Sequence, residues 1–196
     1  MSESAKTPYL RSLPSAERRR EPWANGGGFT EVILREPDNA DWKIRISIAR
    51  IEQDGPFSEW PETHRLLAPL DAPMTLRFGD GREWQAARLQ VLCFDGTPAP
   101  FGVLPEGPTR DFNLMLRNGV RGGLLARTLV DSMVLLREPG VRWLVYVNRG
   151  HATANAGENS LTLTAGDAAW IEFGGERSPT RAVIEGAGEL VLAKLA

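Results

Sequence analysis

Cysteine is almost missing from this chain: Cys93 is its one thiol in 196 residues. A single thiol forms no internal disulfide and no cysteine-based zinc site. It lies in Leu92-Cys93-Phe94, an apolar context that reads as a buried, inert thiol rather than a nucleophile. Histidine is scarce as well. His64 and His151 stand far apart, and no His-x-His pair occurs. A transition-metal centre therefore has no local ligand spacing to rest on, and neither metal nor cofactor is expected. No serine occupies a Gly-x-Ser-x-Gly elbow. No run approaches the about 18 apolar residues of a spanning helix, and the first residues lack the apolar stretch of a secretory leader. The expected setting is reducing and cytoplasmic. An excess of one charge is missing too: 23 basic side chains face 25 acidic ones, for a net charge of -2. No strong field steers the chain to nucleic acid or to a membrane. The run Arg18-Arg19-Arg20 is followed at once by Glu21 and reads as a solvated face.

Strand signals fill most of what is there. In "DWKIRISIARI", residues 41–51, Trp42, Ile44, Ile46 and Ile48 share one face, and Lys43, Arg45, Ser47 and Ala49 share the other. On periodicity alone the polar face meets water. "MTLRFGDGREWQAARLQVL" reads as a hairpin turning at Gly79-Asp80-Gly81. "THRLLAPL" has a helical period that Pro69 cuts off. The stretch holding Pro98, Pro100, Pro105 and Pro108 is a long connection, the best candidate for a boundary between halves. "DFNLMLRN", "RWLVYVNRG", "SLTLTAGDAAWIEF" and "GELVLAKLA" then resume short strands between turns. Phe94-Asp95-Gly96 and Phe173-Gly174-Gly175 close two segments of similar layout, an echo between two β modules. The expected division is a polar lead-in at 1–21, a first β module at 22–105 and a second at 106–196. The class is all-β, a sandwich or barrel.

The glycine run in "PWANGGGFTEVIL", residues 22–34, invites comparison with a phosphate loop. No lysine closes the run, and a β-branched strand follows instead of a helix. The glycines therefore allow a sharp turn or a close approach of backbone.

Four stretches together resemble the HutD/Ves family: "PWANGGGFTEVIL", "WKIRISIARIEQDGPFSEWPETHRLL", "FDGTPAPFGVLPEGPTRDFNLMLR", and "YV" followed by "GDAAWIEFGGE". They run in order from about residue 22 to residue 175. The resemblance implies a cupin-like bicupin: two small β-barrel modules packed as one unit in a bacterial, cytoplasmic protein. It implies an association with histidine utilisation or, in the Ves branch, with stress response. The implied role is sensing an acidic intermediate such as formylglutamate rather than catalysis. Two positions depart from the family pattern: Glu62 follows Pro61 where a glycine is usual, and Trp60 precedes Pro61 where a phenylalanine is common.

With both faces of the Arg45 strand covered, as the resemblance implies, Arg45 and Ser47 become lumen groups suited to a carboxylate. Arg65 is a candidate to close over the pocket, or else a surface partner of Glu59 or Glu62. Asn25, Gly26 and Gly27 offer a donor–acceptor side chain and backbone N–H groups to an anion. Trp23 is either an apolar wall or ordinary core. Asp111 and Asn113 share a strand face and are candidate lumen polar groups, or else caps of their strand. His64 reads as a hydrogen-bonding loop residue and stays in the candidate ligand set. His151 reads as solvated in a turn. The expected partner is a small anionic metabolite, with no nucleic acid and no membrane, and a homodimer is left open. The first functional hypothesis is a non-catalytic carboxylate-binding regulator. The alternative is a metal-free cupin enzyme acting on a small acid, with His64 or Asp111 as general base.

Overall fold

The structure is a computed structural model that describes residues 9–23, 28–174 and 179–196. Among these residues it contains no α-helix, only a 3-10 turn at Ser15–Glu17. Among the described residues no helix is long and apolar enough to cross a membrane. The strands are β1 (Leu10–Leu13), β2 (Arg19–Pro22), β3 (Gly28–Glu36), β4 (Ile44–Ile51), β5 (Gly55–Pro56), β6 (Thr63–Pro69), β7 (Met74–Arg77) and β8 (Glu83–Ala86). They continue as β9 (Leu92–Asp95), β10 (Phe101–Val103), β11 (Thr109–Arg117), β12 (Gly122–Leu136), β13 (Arg142–Ala156), β14 (Asn159–Thr164), β15 (Ala168–Glu172) and β16 (Arg181–Leu195).

The chain divides into two units, one of residues 16–126 and one of residues 1–15 with 127–196. This differs from the expected boundary at 105/106. The reason is β11, which pairs with β4 on one side and β6 on the other and so sits inside the first unit's sheet. The Pro-rich connection before it carries a strand of that same unit, β10, rather than a linker. The described part of the expected lead-in, residues 9–21, is not irregular either. Leu10 to Leu13 pair with β15, and Arg19 to Pro22 pair with β3.

In the 16–126 unit a six-stranded antiparallel sheet runs β2-β3-β4-β11-β6-β9, and a four-stranded sheet runs β5-β10-β7-β8. Both are open strand paths rather than closed barrels. Apolar groups from the two sheets meet in one cluster: Ile51, Leu67 and Phe94 from the larger, Met74 and Leu76 from the smaller, with Phe78 from the hairpin turn. The β7–β8 hairpin forms as expected, closed by Phe78 N–H to the Arg82 carbonyl at 2.9 Å. "THRLLAP" is strand β6, not helix: its backbone groups pair on both sides, with β11 and β9.

In the other unit one sheet runs β1-β15-β13-β16-β12, with β14 added to β13. β13 is long enough to pair with β15 along its first part and β14 along its second. A register shift between Val147 and Arg149 marks the change. Val145, Val147, Ala152, Ala154, Leu190 and Leu192 fill the resulting core. His151 is exposed, as expected, but within β13 rather than in a turn.

Candidate functional site

Strand parity builds a polar wall on the inner face of the larger sheet. Met115 on β11 is in register with Arg45 on β4 and with Arg65 on β6. Asn113 is in register with Ser47, and Asp111 with Ala49. Because side chains alternate, these residues point to one side in successive rows across three adjacent strands. They line a cavity of about 460 Å³. Trp23, Phe57 and Trp60 add aromatic wall, and Glu21 stands at its side.

Every polar group of the wall is buried: Arg45 is 7% exposed, Arg65 4%, Ser47 1%, Asn113 3% and Asp111 0%. Arg45 is held by Glu21, with Nη2 donating to Oε2 at 2.9 Å, and by Ser47, with Nη1 donating to Oγ at 3.2 Å. Arg65 Nη2 donates to Asn113 Oδ1 at 2.8 Å, and Asn113 Nδ2 donates to Asp111 Oδ1 at 2.7 Å. Within the Arg65–Asn113–Asp111 hydrogen-bond series, three buried atoms have no partner: Arg65 Nε, Arg65 Nη1 and Asp111 Oδ2. Two guanidinium donors and a carboxyl oxygen thus stay unsatisfied beside the cavity. A buried unsatisfied donor or acceptor costs about 1–3 kcal/mol, so an occupant that pairs with them recovers that cost. The rings of Phe57 and Phe94 lie 5.2 and 5.1 Å from the Arg65 guanidinium carbon and hold its charge in place.

Burial dominates the electrostatics. It pushes the Asp111 carboxyl up to about 7, against the downward pull of Arg65, the Ala49 backbone and Asn113. It lowers Arg65 to about 10, opposed by Asp111 and assisted by Arg45. Arg45 is also lowered by burial, with Glu21 working against the shift. At neutral pH both arginines remain charged. Glu21, Asp54 and Asp111 line the same cavity, but Glu21 already pairs with Arg45 and burial works against the charged form of Asp111, so Arg65 is the positive group left with open donors for an anion.

Most of the residues expected to share a pocket do so: Trp23, Arg45, Ser47, Arg65, Asp111 and Asn113 all line the cavity. Arg65 is not a surface residue paired with Glu59 or Glu62, because β6 turns it into the wall. His64 is a correction. It precedes Arg65 in β6, so its side chain lies on the opposite face, half exposed and away from this cavity. Asn25, Gly26 and Gly27 lie outside the described residues. Gly28 begins β3, and a Cβ there would stand 2.0 Å from the Arg50 carbonyl oxygen and 3.3 Å from the Trp23 ring. Close backbone approach is thus the requirement at Gly28. Cys93 is a further correction, exposed rather than buried. Glu21 and Met115 were absent from the expected set. Met115 continues the alternation of Asp111 and Asn113, a readable signal. Glu21 is placed by the β2–β3 pairing, which leaves no local mark. Among the described residues no group of three or more His, Cys, Asp or Glu side chains is placed to hold a metal ion.

The fold is all-β and cupin-like, and two buried arginines line its cavity. The HutD family model matches residues 15–192, and the chain belongs to that family. It is 34% identical over 111 residues to an uncharacterized 21.2 kDa protein from the hutC 3' region of Pseudomonas putida, a match spanning 54% of this chain and 57% of that relative. It is 28% identical to protein Ves of Cronobacter sakazakii, over 88% of this chain and 91% of that one. Its fold is similar to that of HutD from Pseudomonas fluorescens, with a TM-score of 0.78 at 24% identity, over 95% and 98% of the two chains.

Proposed function

We propose that the chain binds a small carboxylate in the cavity of the 16–126 unit and acts without catalysis, as a sensor or buffer of an intermediate of amino-acid breakdown. The observation that carries the reading is the pair of unpartnered N–H groups on buried Arg65, next to the unpartnered oxygen of Asp111. Charged guanidinium N–H groups make strong hydrogen bonds to carboxylate oxygens, and Nε and Nη1, on different edges, each offer one. A protonated Asp111 adds a third donor, and Arg45 adds charge from the same row. Family membership supports a link to histidine utilisation. The solved HutD of P. fluorescens is described under a formate condition, and formate is the smallest ligand of this class. Formylglutamate, an acidic product at that level of breakdown, carries the same carboxylate.

Calorimetric titration of formate, glutamate and formylglutamate into the protein tests the proposal. Saturable binding of at least one is expected. Arg45→Ala is expected to weaken it by about tenfold or more with the fold intact, because a charge-assisted contact costs about 2–5 kcal/mol to lose. Binding of none of them, or equal binding by the variant, overturns the assignment.

Asp111 favours a second reading. A carboxyl raised to about 7 inside a cavity is suited to general acid/base work. Consumption of a bound acid by the wild type, abolished in Asp111→Asn, would select it over non-catalytic binding.

A further inference from the structure

On the face of the larger sheet opposite the cavity, β6 and β9 bring a thiol, an imidazole and a carboxylate together. Cys93 Sγ lies 3.0 Å from His64 Nε2, and His64 Nδ1 lies 3.4 Å from Asp95 Oδ1. The register explains the grouping. His64 pairs with Asp95 and Leu66 with Cys93, so the three functional side chains share one face of an edge pair. Nucleophile, base and a third group that orients the base are the arrangement that activates a thiol. Cys93 is exposed, and a hollow of about 250 Å³ opens beside the group, walled by Phe78, Trp84 and Pro98.

We propose that Cys93, His64 and Asp95 form a reactive-thiol site that undergoes thiol–disulfide exchange with a small disulfide. Asp95 accepts the Nδ1–H hydrogen bond, which leaves Nε2 free to accept the thiol proton. As His64 takes that proton, Sγ attacks one sulfur of the disulfide and its S–S bond breaks. A Cys93 mixed disulfide forms, and the departing thiolate collects the proton from Nε2 and leaves as a thiol. Cys93 is oxidised, the incoming disulfide is reduced, and His64 returns to its starting state. The hollow accommodates the half that remains attached. Burial and the Asp95 charge both push the Cys93 thiol up. The group therefore enters the reaction as a thiol, and its speed depends on the neighbouring base. This site shares no residue with the carboxylate cavity, so its fate is independent of that proposal.

The chain has one cysteine, so every thiol adduct reports on this position. Intact-mass spectrometry follows adduct formation with oxidised glutathione and with cystamine at neutral pH. The same chain unfolded in denaturant serves as the reference for an ordinary cysteine. The folded protein is expected to react at least about tenfold faster, a threshold one decade below the about 10²–10⁴-fold that a positioned base supplies. His64→Gln is expected to remove that advantage, Asp95→Asn to reduce it, and both to keep the wild-type melting temperature. A folded rate no higher than the unfolded one overturns the proposal, and so does a His64→Gln variant that reacts as fast as wild type.

Discussion

Arg45 and Arg65 stand in one row of the larger sheet, on opposite sides of β11, each in register with Met115. Two like charges in one buried row oppose each other, and each lowers its cost with its own partner: Glu21 for Arg45, and Asn113 with Asp111 for Arg65. The row is an arrangement that folding alone does not require.

Arg65→Met should cost both stability and binding. The change removes the donor to Asn113 and the positive partner of fully buried Asp111, and a buried group left without its partner is destabilising. The variant is expected to melt below the wild-type temperature and to lose carboxylate binding by at least about tenfold. Thermal melts paired with titration calorimetry check this. A variant that melts as wild type does, or that binds equally well, would contradict it.

Binding should strengthen as pH falls through 7. Asp111 is raised to about 7, so above that pH it adds a negative charge beside the bound anion. Below it, the protonated group donates to the ligand while Arg65 and Arg45 remain charged. Titrations at pH 6 and pH 8 in buffers of different ionisation enthalpy should show proton uptake on binding at the higher pH. Asp111→Asn should abolish both the uptake and the pH dependence.

Stability should carry the same signature. The folded chain holds the Asp111 proton up to about 7, whereas an unfolded aspartate releases it near 4. Between these values the native state binds more protons, so this group's contribution declines as pH rises through the window and is smallest above 7. Denaturant melts of wild type and Asp111→Asn across that range should converge at the acid end. A larger difference at low pH than at high pH would show the opposite sign.

Gly28→Val should unfold the edge of the cavity. Its Cβ would lie 2.0 Å from a backbone oxygen of the neighbouring strand, where no side chain can move aside. Loss of several degrees in melting temperature is expected, together with loss of carboxylate binding. Wild-type stability in this variant would mean that β3 does not start against Arg50.

A fragment of residues 1–105 should not fold. It lacks β11, the strand between β4 and β6, and so carries two unpaired edges in the middle of its sheet. Circular dichroism and a cooperative melt are the readout, and a cooperatively melting fragment would refute the prediction.

The alternation of residues 41–51 told which side chains share a face and was correct at every position from Ile44 to Ala49. It did not tell that both faces are buried. Period two assigns sides, whereas the covering of a side comes from distant strands. The same parity contained the answer for His64 and Arg65, since neighbours in a strand point apart. It was obscured because "HRLLAP" also matches a helical period. The pairing of Cys93 with His64 was invisible for another reason. It depends on the β6–β9 register, which joins residues 29 apart with no local signal. The observed division lies away from residue 105 because proline and glycine mark any tight connection, here one that stays within a unit and leads into its central strand.

The pairing of β1 with β15 sets an order of events on the ribosome. Leu10 to Leu13 emerge early, yet their partners Ala168 to Ile171 are made only near the end of synthesis. β16, which flanks most of β13, comes later still. The two sheets of the 16–126 unit have all of their strands by Arg117 and can close while translation continues. The other unit must keep β1 waiting, with its apolar residues unpaired in the nascent chain, until its last strands appear. An mRNA that pauses late would lengthen that exposure, and chaperone capture of stalled chains should centre on this early segment.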